Sequence, residues 1–332
     1  MRTISYSELA TALRCSAQWD FRYGGRLAGS ALRPRATAPL LIAGRAWGRA
    51  MAVWHAQQPS PEAAAAAHET LDAEYRAETD DLMDECQKLH RVLDHYVATG
   101  ASLAHLDRIE EEIVVALPSE RGARPSNRWR YQAFLDGYVV IEGLPWLVEF
   151  KLRRKLTPVA IVEKQPQLRW YAWAFARRYG INGAIGIMVD ETLAEPPEKA
   201  RLLRDRRGGV TVSHAKTQWT TAESYLEACA AHGVQPNPDT EAALRARHWH
   251  QRVSILFSPE DLETVGRELR SGAVLIRDLD NGRLYPIRNG GSLCRWCEFA
   301  PVCSDPSEWL IETMFDRCPP KRLRADKEDG CH

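Results

Sequence analysis

The 332-residue sequence predicts an α/β fold, a sheet with helices packed on it. Two observations carry that prediction. Helical patterns come first and are followed by a run of strand-like segments that read as antiparallel. Helix, strand and helix then alternate, which is the order of a sheet covered by helices.

The elements follow from local chemistry. Ser5-Tyr6-Ser7-Glu8 fits a capping box that opens a helix through about Arg14. Residues 24–40, with Gly24-Gly25, Pro34 and Pro39, read as a loop. A helix is expected from Leu41 to Gln57. Two more are expected before Gly100, the first opened by Ser60 as cap and Pro61 in its first turn. "RIEEEIVVALPSE", "NRWRYQAFLDGYVVI" and "PWLVEFKLRR" are strand segments, and a long helix is expected over Thr157–Tyr179 despite Pro166. "INGAIGIMVD" is a further strand. Residues 195–218 read as an exposed loop or insertion, and Thr220 and Glu223 cap the next helix. "RVSILF" is a strand, and Ser258-Pro259 starts the helix after it.

Composition narrows the function. Hydrophobic residues make up 45% of the chain, ample for a sizeable core. The formal net charge is zero, so a polyanion site must be local. Residues 1–50 carry eight arginines against Glu8 and Asp20, and a second basic stretch runs from Lys151 to Arg178. No apolar run approaches a membrane span, and "MRTISYSELATALRC" lacks the apolar segment of a signal peptide. The expectation is a cytoplasmic protein that does not engage membranes. Its eight cysteines are then better metal candidates than disulfide candidates.

"FLDGYVVIEGLPWLVEFKLRRK", Phe134 to Lys155, poses the chemical question. Two apolar runs around Glu142-Gly143-Leu144-Pro145 read as a β-hairpin. Charges on a half-buried sheet are costly unless paired or metal-bound. With a two- or four-residue loop, Asp136 is expected opposite Lys151 and Tyr138 opposite Glu149. Asp136, Glu149 and Lys151 then share one face. Two carboxylates at one point suit Mg²⁺ or Mn²⁺, and a lysine beside them can position or deprotonate a water. A structural Asp–Lys–Glu ion network is the alternative.

Asp136 followed by "VEFK" resembles the core of the PD-(D/E)xK nuclease superfamily, and "QLRWYAW" on the next helix resembles the QxxxY motif of its RecB-like branch. The resemblance implies a restriction-endonuclease-like mixed sheet flanked by helices. It implies a metal-dependent DNA exonuclease acting on ends or single strands. Asp136, Glu149 and the Phe150 carbonyl would hold the metal, Lys151 would assist the water, and Gln167 and Tyr171 would position the strand. Trp170 and Trp173 are assigned to the core.

Cys294, Cys297 and Cys303 stand in "SLCRWCEFAPVCSD", a C-x2-C-x5-C spacing that reads as metal ligation. Cys15, in "YSELATALRCSAQWDFRY", resembles the N-terminal cysteine of iron–sulfur RecB-like nucleases, which include CRISPR-associated and phage exonucleases and the AddB type. That resemblance assigns Cys15, Cys294, Cys297 and Cys303 to a [4Fe–4S] cluster joining the two ends of the chain. Zinc could do the same. Cys318 and Cys331 read as tail residues, with Cys318 a substitute ligand. The implied organisation is one nuclease domain over residues 1–318, with a helical insertion at about 58–105, another insertion at about 195–250, and a flexible tail from 319.

One position departs from the family. The branch carries a metal-binding histidine in a GxxxH pattern on its first core helix. Here Gly44 fits and Gly48 stands at the histidine position. His55 lies two turns on and is assigned to surface or core, and Glu111 or Glu112 could supply a further carboxylate. The departure keeps two rivals open: a catalytically weak DNA-binding scaffold of the same fold, and a zinc-stapled regulatory protein. DNA is the expected partner. A homo-oligomer or a recombination or adaptation partner is compatible with the resemblance. "RLLRDRRGG", Arg201 to Gly209, reads as a DNA-contacting loop or a solvated insertion.

Overall fold

The computed structural model describes all residues except 37, 78–81, 100–102, 104, 120–123, 205–208 and 324–332. The chain opens with a short strand, β1 (Arg2–Ser5), which the sequence pattern does not announce. Ser5 caps α1 (Tyr6–Arg14) by accepting the Glu8 N–H. The capping box is only half made. The Glu8 carboxylate is buried and taken instead by Arg2 and by Lys321, each at 2.6 Å. A short α2 (Ser16–Trp19) and a π-helical turn follow, and the segment expected to be loop contains β2 (Ala31–Pro34).

Three helices come next: α3 (Pro39–Gln57), α4 (Pro61–Arg76) and α5 (Met83–Ala98). Prolines open α3 and α4, where the missing N–H costs nothing. The strands β3 (Arg108–Pro118), β4 (Pro125–Ile141) and β5 (Leu144–Arg153) then form the predicted antiparallel run. The long helix expected from Thr157 is two pieces, α6 (Val159–Val162) and α7 (Pro166–Tyr179). Pro166 cannot donate inside a helix, so it begins a new one.

β6 (Ile185–Leu193) leads to a two-stranded excursion, β7 (Leu203–Arg204) and β8 (Val210–Thr211). α8 (Ala222–Ala231) is capped by Thr221, not Thr220, whose hydroxyl donates to the Glu198 carbonyl instead. After α9 (Pro238–Arg245), β9 (His250–Phe257) runs into α10 (Pro259–Asp280) through a complete Ser258–Asp261 capping box. α11 (Ala300–Ser304), α12 (Glu308–Met314) and β10 (Phe315–Cys318) follow, and a 3-10 turn at Lys321–Leu323 ends the described chain.

The main sheet is mixed and has six strands. β4 carries β3 along one edge. On the other edge, parallel β1 pairs with its first half and antiparallel β5 with its last. β6 lies parallel to β5, as the helical crossover through α7 requires, and β9 closes the sheet antiparallel to β6. Apolar layers cover both faces. α3, α4 and α5 bury Val139, Val148, Phe150 and Met188, while α7 and α10 bury Tyr131, Leu135, Leu147 and Val189. Trp170 and Trp173 are core residues, as expected.

The β4–β5 turn is two residues long, but it is centred on Glu142-Gly143, one residue earlier than the expected register requires. Glu142 and Gly143 both take positive φ, 51° and 78°, so two residues suffice. Tyr138 therefore faces Leu147, not Glu149, and the Asp136–Lys151 pairing is displaced by two residues. An even displacement keeps every side chain on its face of the sheet.

The two ends of the described chain meet. β10 pairs antiparallel with β2, Phe21 stacks on Phe299 at 5.8 Å, and Arg22 pairs with Glu298. No helix among the described residues is long and apolar enough to cross a membrane.

A fully buried carboxylate pins the connector between β5 and α7. Glu191 of β6 accepts from Arg153, from the Thr157 N–H and hydroxyl, and from Gln251. Burial opposes its charge, but these donors win and hold its carboxyl below the ordinary value. Its contribution is therefore present above the unfolded-state value and fades as pH falls through the folded one. Glu191→Ala should cost about 3 kcal/mol in urea unfolding, because it orphans buried donors and Arg153. A loss under about 0.5 kcal/mol would contradict this role.

Candidate active site at a fork in the sheet

The site lies where β4 changes partners. β1 pairs with Trp129–Gln132 of β4, and β5 pairs with Gly137–Ile141. Residues 133–136 have neither neighbour on that edge. The sheet forks there, and Asp136 is the last residue before β5 joins. On the opposite edge the β3 ladder skips the Glu110–Asp136 position, and Glu110 takes a left-handed φ of 48°. Beyond Val148, β5 is paired only with β6. The Phe150 N–H therefore faces the fork and donates to Asp136 Oδ2 at 2.9 Å instead of to a strand.

Glu149 and Lys151 alternate with Phe150 and turn to the face covered by α7. Lys151 Nζ donates to Glu149 Oε1. Gln167, one residue into α7, donates to the same oxygen at 2.8 Å. Tyr171 stands one turn further on, buried, with Tyr6 of α1 edge-on to its ring at 6.4 Å. Burial, with Glu149 close by, keeps its phenol protonated well above the ordinary value. The structure thus brings together Asp136, Glu149, Lys151, Gln167 and Tyr171.

The electrostatics are those of an anionic pocket with one cation. Burial and the Glu149 charge push the Asp136 carboxyl up to about 8, against the opposing pull of Lys151 and the Phe150 N–H. Burial opposes the Lys151 charge, but Glu149 and Asp136 outweigh it and hold it protonated above its usual range. With both carboxylates ionised the pocket would carry a net negative charge, and a hard divalent cation placed there would neutralise it and favour loss of the Asp136 proton. Asp136, Glu149 and the fork-facing backbone are oxygen donors of the kind such an ion takes.

The other predicted residues fall as follows. Gly48 of α3 faces the site, since a Cβ there would lie 3.9 Å from both Asp136 carboxylate oxygens. His55 is a core residue. It stacks on Phe150 at 5.2 Å and bonds Tyr96 and Gln58 through its two nitrogens, and burial lowers its pKa to about 3. It supports Phe150 from below and does not reach the carboxylates. Neither Glu111 nor Glu112 joins them. Glu111 is held by Tyr179 and Arg108, and Glu112 by Gln132. Of the three acids on β3, Glu110 is the one whose charge also acts on Asp136, less than Glu149 does, and Arg49 pairs with it at 3.1 Å. Its left-handed φ is what distinguishes Glu110 from its neighbours, and no sequence rule announces that for glutamate.

At the other end, Cys15, Cys294, Cys297 and Cys303 are free thiols. The Cys15 thiol and the Ala17 N–H both reach the Ile287 carbonyl, which ties the first segment to the last. Burial pushes the Cys297 thiol up, and the charges of Glu298, Cys15 and Cys303 push the same way. Cys297 and Cys303 pack against the apolar cluster of Phe21, Phe299 and Phe315. Cys318 sits in β10 opposite Ala31, and Cys331 lies outside the described residues. Part of the Arg201–Gly209 stretch, residues 205–208, also lies outside them.

An acid at a fork in a mixed sheet, with an acid–x–lysine strand beside it, is the arrangement that the resemblance to PD-(D/E)xK nucleases implies. The sequence model of the PD-(D/E)XK nuclease superfamily matches residues 3–304. The chain belongs to that superfamily. Among solved structures it is similar to the crystal structure of SSO0001, with a TM-score of 0.34 and 12% identity over 91% of this chain and 86% of that one. A search of curated proteins found no match.

Asp136 makes a checkable contribution to stability. Its folded-state carboxyl titrates near 8 against an ordinary value of 3.8, so the folded state favours the proton. The stability this provides is complete below about pH 4 and is lost as pH rises to about 8. In EDTA at pH 8, Asp136→Asn should raise stability by about 1–3 kcal/mol, and the gain should vanish at pH 4. Equal stability of the two proteins at pH 8 would contradict the electrostatic description.

Proposed function

We propose that the protein is a Mg²⁺- or Mn²⁺-dependent exonuclease that hydrolyses phosphodiester bonds at DNA ends or in single strands. The observation that carries this reading is the convergence of Asp136, Glu149 and Lys151 at the fork, with Gln167 of α7 on the same carboxylate.

Asp136, Glu149 and the Phe150 carbonyl would hold the ion. When bound, it supplies charge stabilisation at a phosphoryl oxygen and lowers the pKa of water. Lys151, fixed by Glu149, orients the attacking water and holds a proton at Nζ. Gln167 keeps Glu149 in place, and Tyr171 offers its phenol O–H to the scissile strand. Exposed Phe134, two residues from Asp136, presents an aromatic face on which an unpaired base can stack. Arg154 and Lys155, exposed after β5, offer positive charge for the backbone.

A second reading has its own observation. Gly48 leaves vacant the helix position that faces Asp136, so the family's histidine ligand is absent. A weakly metal-binding, DNA-binding scaffold of the same fold would result. End-labelled single- and double-stranded DNA incubated with Mn²⁺ separates the two readings. Wild type should degrade it, and Asp136→Ala and Lys151→Ala should each lose at least about a hundredfold in rate while Lys151→Ala still binds DNA. Absence of degradation by folded wild type would leave the scaffold reading in its place.

Cys15, Cys294, Cys297 and Cys303 would hold a [4Fe–4S] cluster linking the chain's ends. Supporting this are their free thiols, the interaction of Cys15 and Cys303 with Cys297, and the aromatic packing beneath them. Anaerobically purified protein should carry about four iron and four sulfide per chain, with the visible absorption lost in Cys15→Ser. Zinc without iron or sulfide would identify a zinc staple.

A further inference from the structure

Far from the fork in sequence, α4 and α5 place a second set of donors face to face. Asp72 and His68 stand four apart on α4, and Cys86, His90 and Asp94 stand four apart in turn on α5. Residues at this spacing share a helix face. The Cys86 thiol lies 3.5 Å from Asp72 Oδ1 and 3.6 Å from His90 Nε2, and His90 Nε2 lies 2.9 Å from Asp72 Oδ1. The three ligand atoms all lie within 4.8 Å of one another.

These spacings match a tetrahedral ion. Bonds of about 2.0–2.3 Å to oxygen, nitrogen and sulfur put neighbouring ligand atoms about 3.3–3.8 Å apart. Both sulfur distances fall in that range, and the His90–Asp72 pair needs to open by only a few tenths of an ångström.

The surroundings of His90 are a separate observation. A metal-ligating histidine almost always donates its other ring N–H to an acceptor, which fixes its tautomer. His90 Nδ1 meets His68 Nδ1 at 2.6 Å, and His68 Nε2 meets Asp94 Oδ1 at 3.1 Å. One proton in each gap gives a consistent chain. His90 donates to His68, His68 donates to Asp94, and His90 Nε2 is left with its lone pair toward Asp72 and Cys86. The Cys86 side chain is fully buried, while Asp72 and His90 keep partial access to solvent, so an ion has an entry side.

We propose that Asp72, Cys86 and His90 form a zinc-class metal site that clamps α4 to α5, with water at the fourth position and His68–Asp94 orienting His90. A mixed oxygen, nitrogen and thiolate set suits a borderline ion such as Zn²⁺ rather than the hard ion expected at the fork. The clamp would act on the layer that covers Phe150 and Val148, because α4 and α5 pack in the same apolar cluster as those residues.

The test uses the full chain, dialysed against EDTA and then titrated with Zn²⁺ under reducing, anaerobic conditions. Wild type should bind one zinc that is absent from Cys86→Ser and from His90→Ala, with unchanged circular dichroism. His68→Gln should weaken that binding about 10- to 100-fold, the usual effect of losing such a partner. Equal zinc in wild type and Cys86→Ser would overturn the proposal. X-ray absorption at the zinc edge of wild type covers the case in which a variant fails to fold. One sulfur among nitrogen and oxygen neighbours is expected, and an all-sulfur shell would place the zinc on the other cysteines and overturn the proposal.

Discussion

The Phe150 N–H bond to Asp136 is the contact on which the site depends. It exists because β4 exchanges β1 for β5 along one edge, which leaves a backbone donor with no strand to pair with. The Asp136 carboxyl accepts it, and this bond pulls against the burial and the Glu149 charge that raise that carboxyl. The same bond fixes Asp136 beside Glu149, and the two acids repel. The fork therefore stores an electrostatic conflict that Lys151 relieves only in part. On the proposed reading, a small, doubly charged ion would relieve that conflict.

The rest of the fold keeps that geometry rigid. Glu191 fastens the connector that aims α7, so that Gln167 arrives at Glu149. His55 and the α3–α5 layer support Phe150 from the opposite face. At the rim, the pairing of β2 with β10 and the stacking of Phe21 on Phe299 hold the first and last described segments together.

Much of this was legible in the sequence because it depends on period and spacing. Alternation along Phe134–Lys155 placed Glu149 and Lys151 on one face, and a two-residue error in register left that face unchanged. The four-residue step from Gln167 to Tyr171 survived the break of the long helix at Pro166, since both residues lie beyond it. What was not legible depends on long-range pairing. β1 is four residues long and exists only through its parallel pairing with β4, and β2 only through β10. Glu110 differs from Glu111 and Glu112 by a left-handed backbone that no local propensity signals. The donor set between α4 and α5 needs two helices that meet in space, and its spacing across two helices matches no linear motif.

Whether the fork holds a divalent metal is decided by Mn²⁺ binding, measured by the paramagnetic resonance of the free ion. Wild type should bind one Mn²⁺, Glu149→Ala should lose it, and Gly48→His should hold it about tenfold or more tightly, since an imidazole would stand beside Asp136. Binding that is the same in all three proteins would contradict a metal site at the fork.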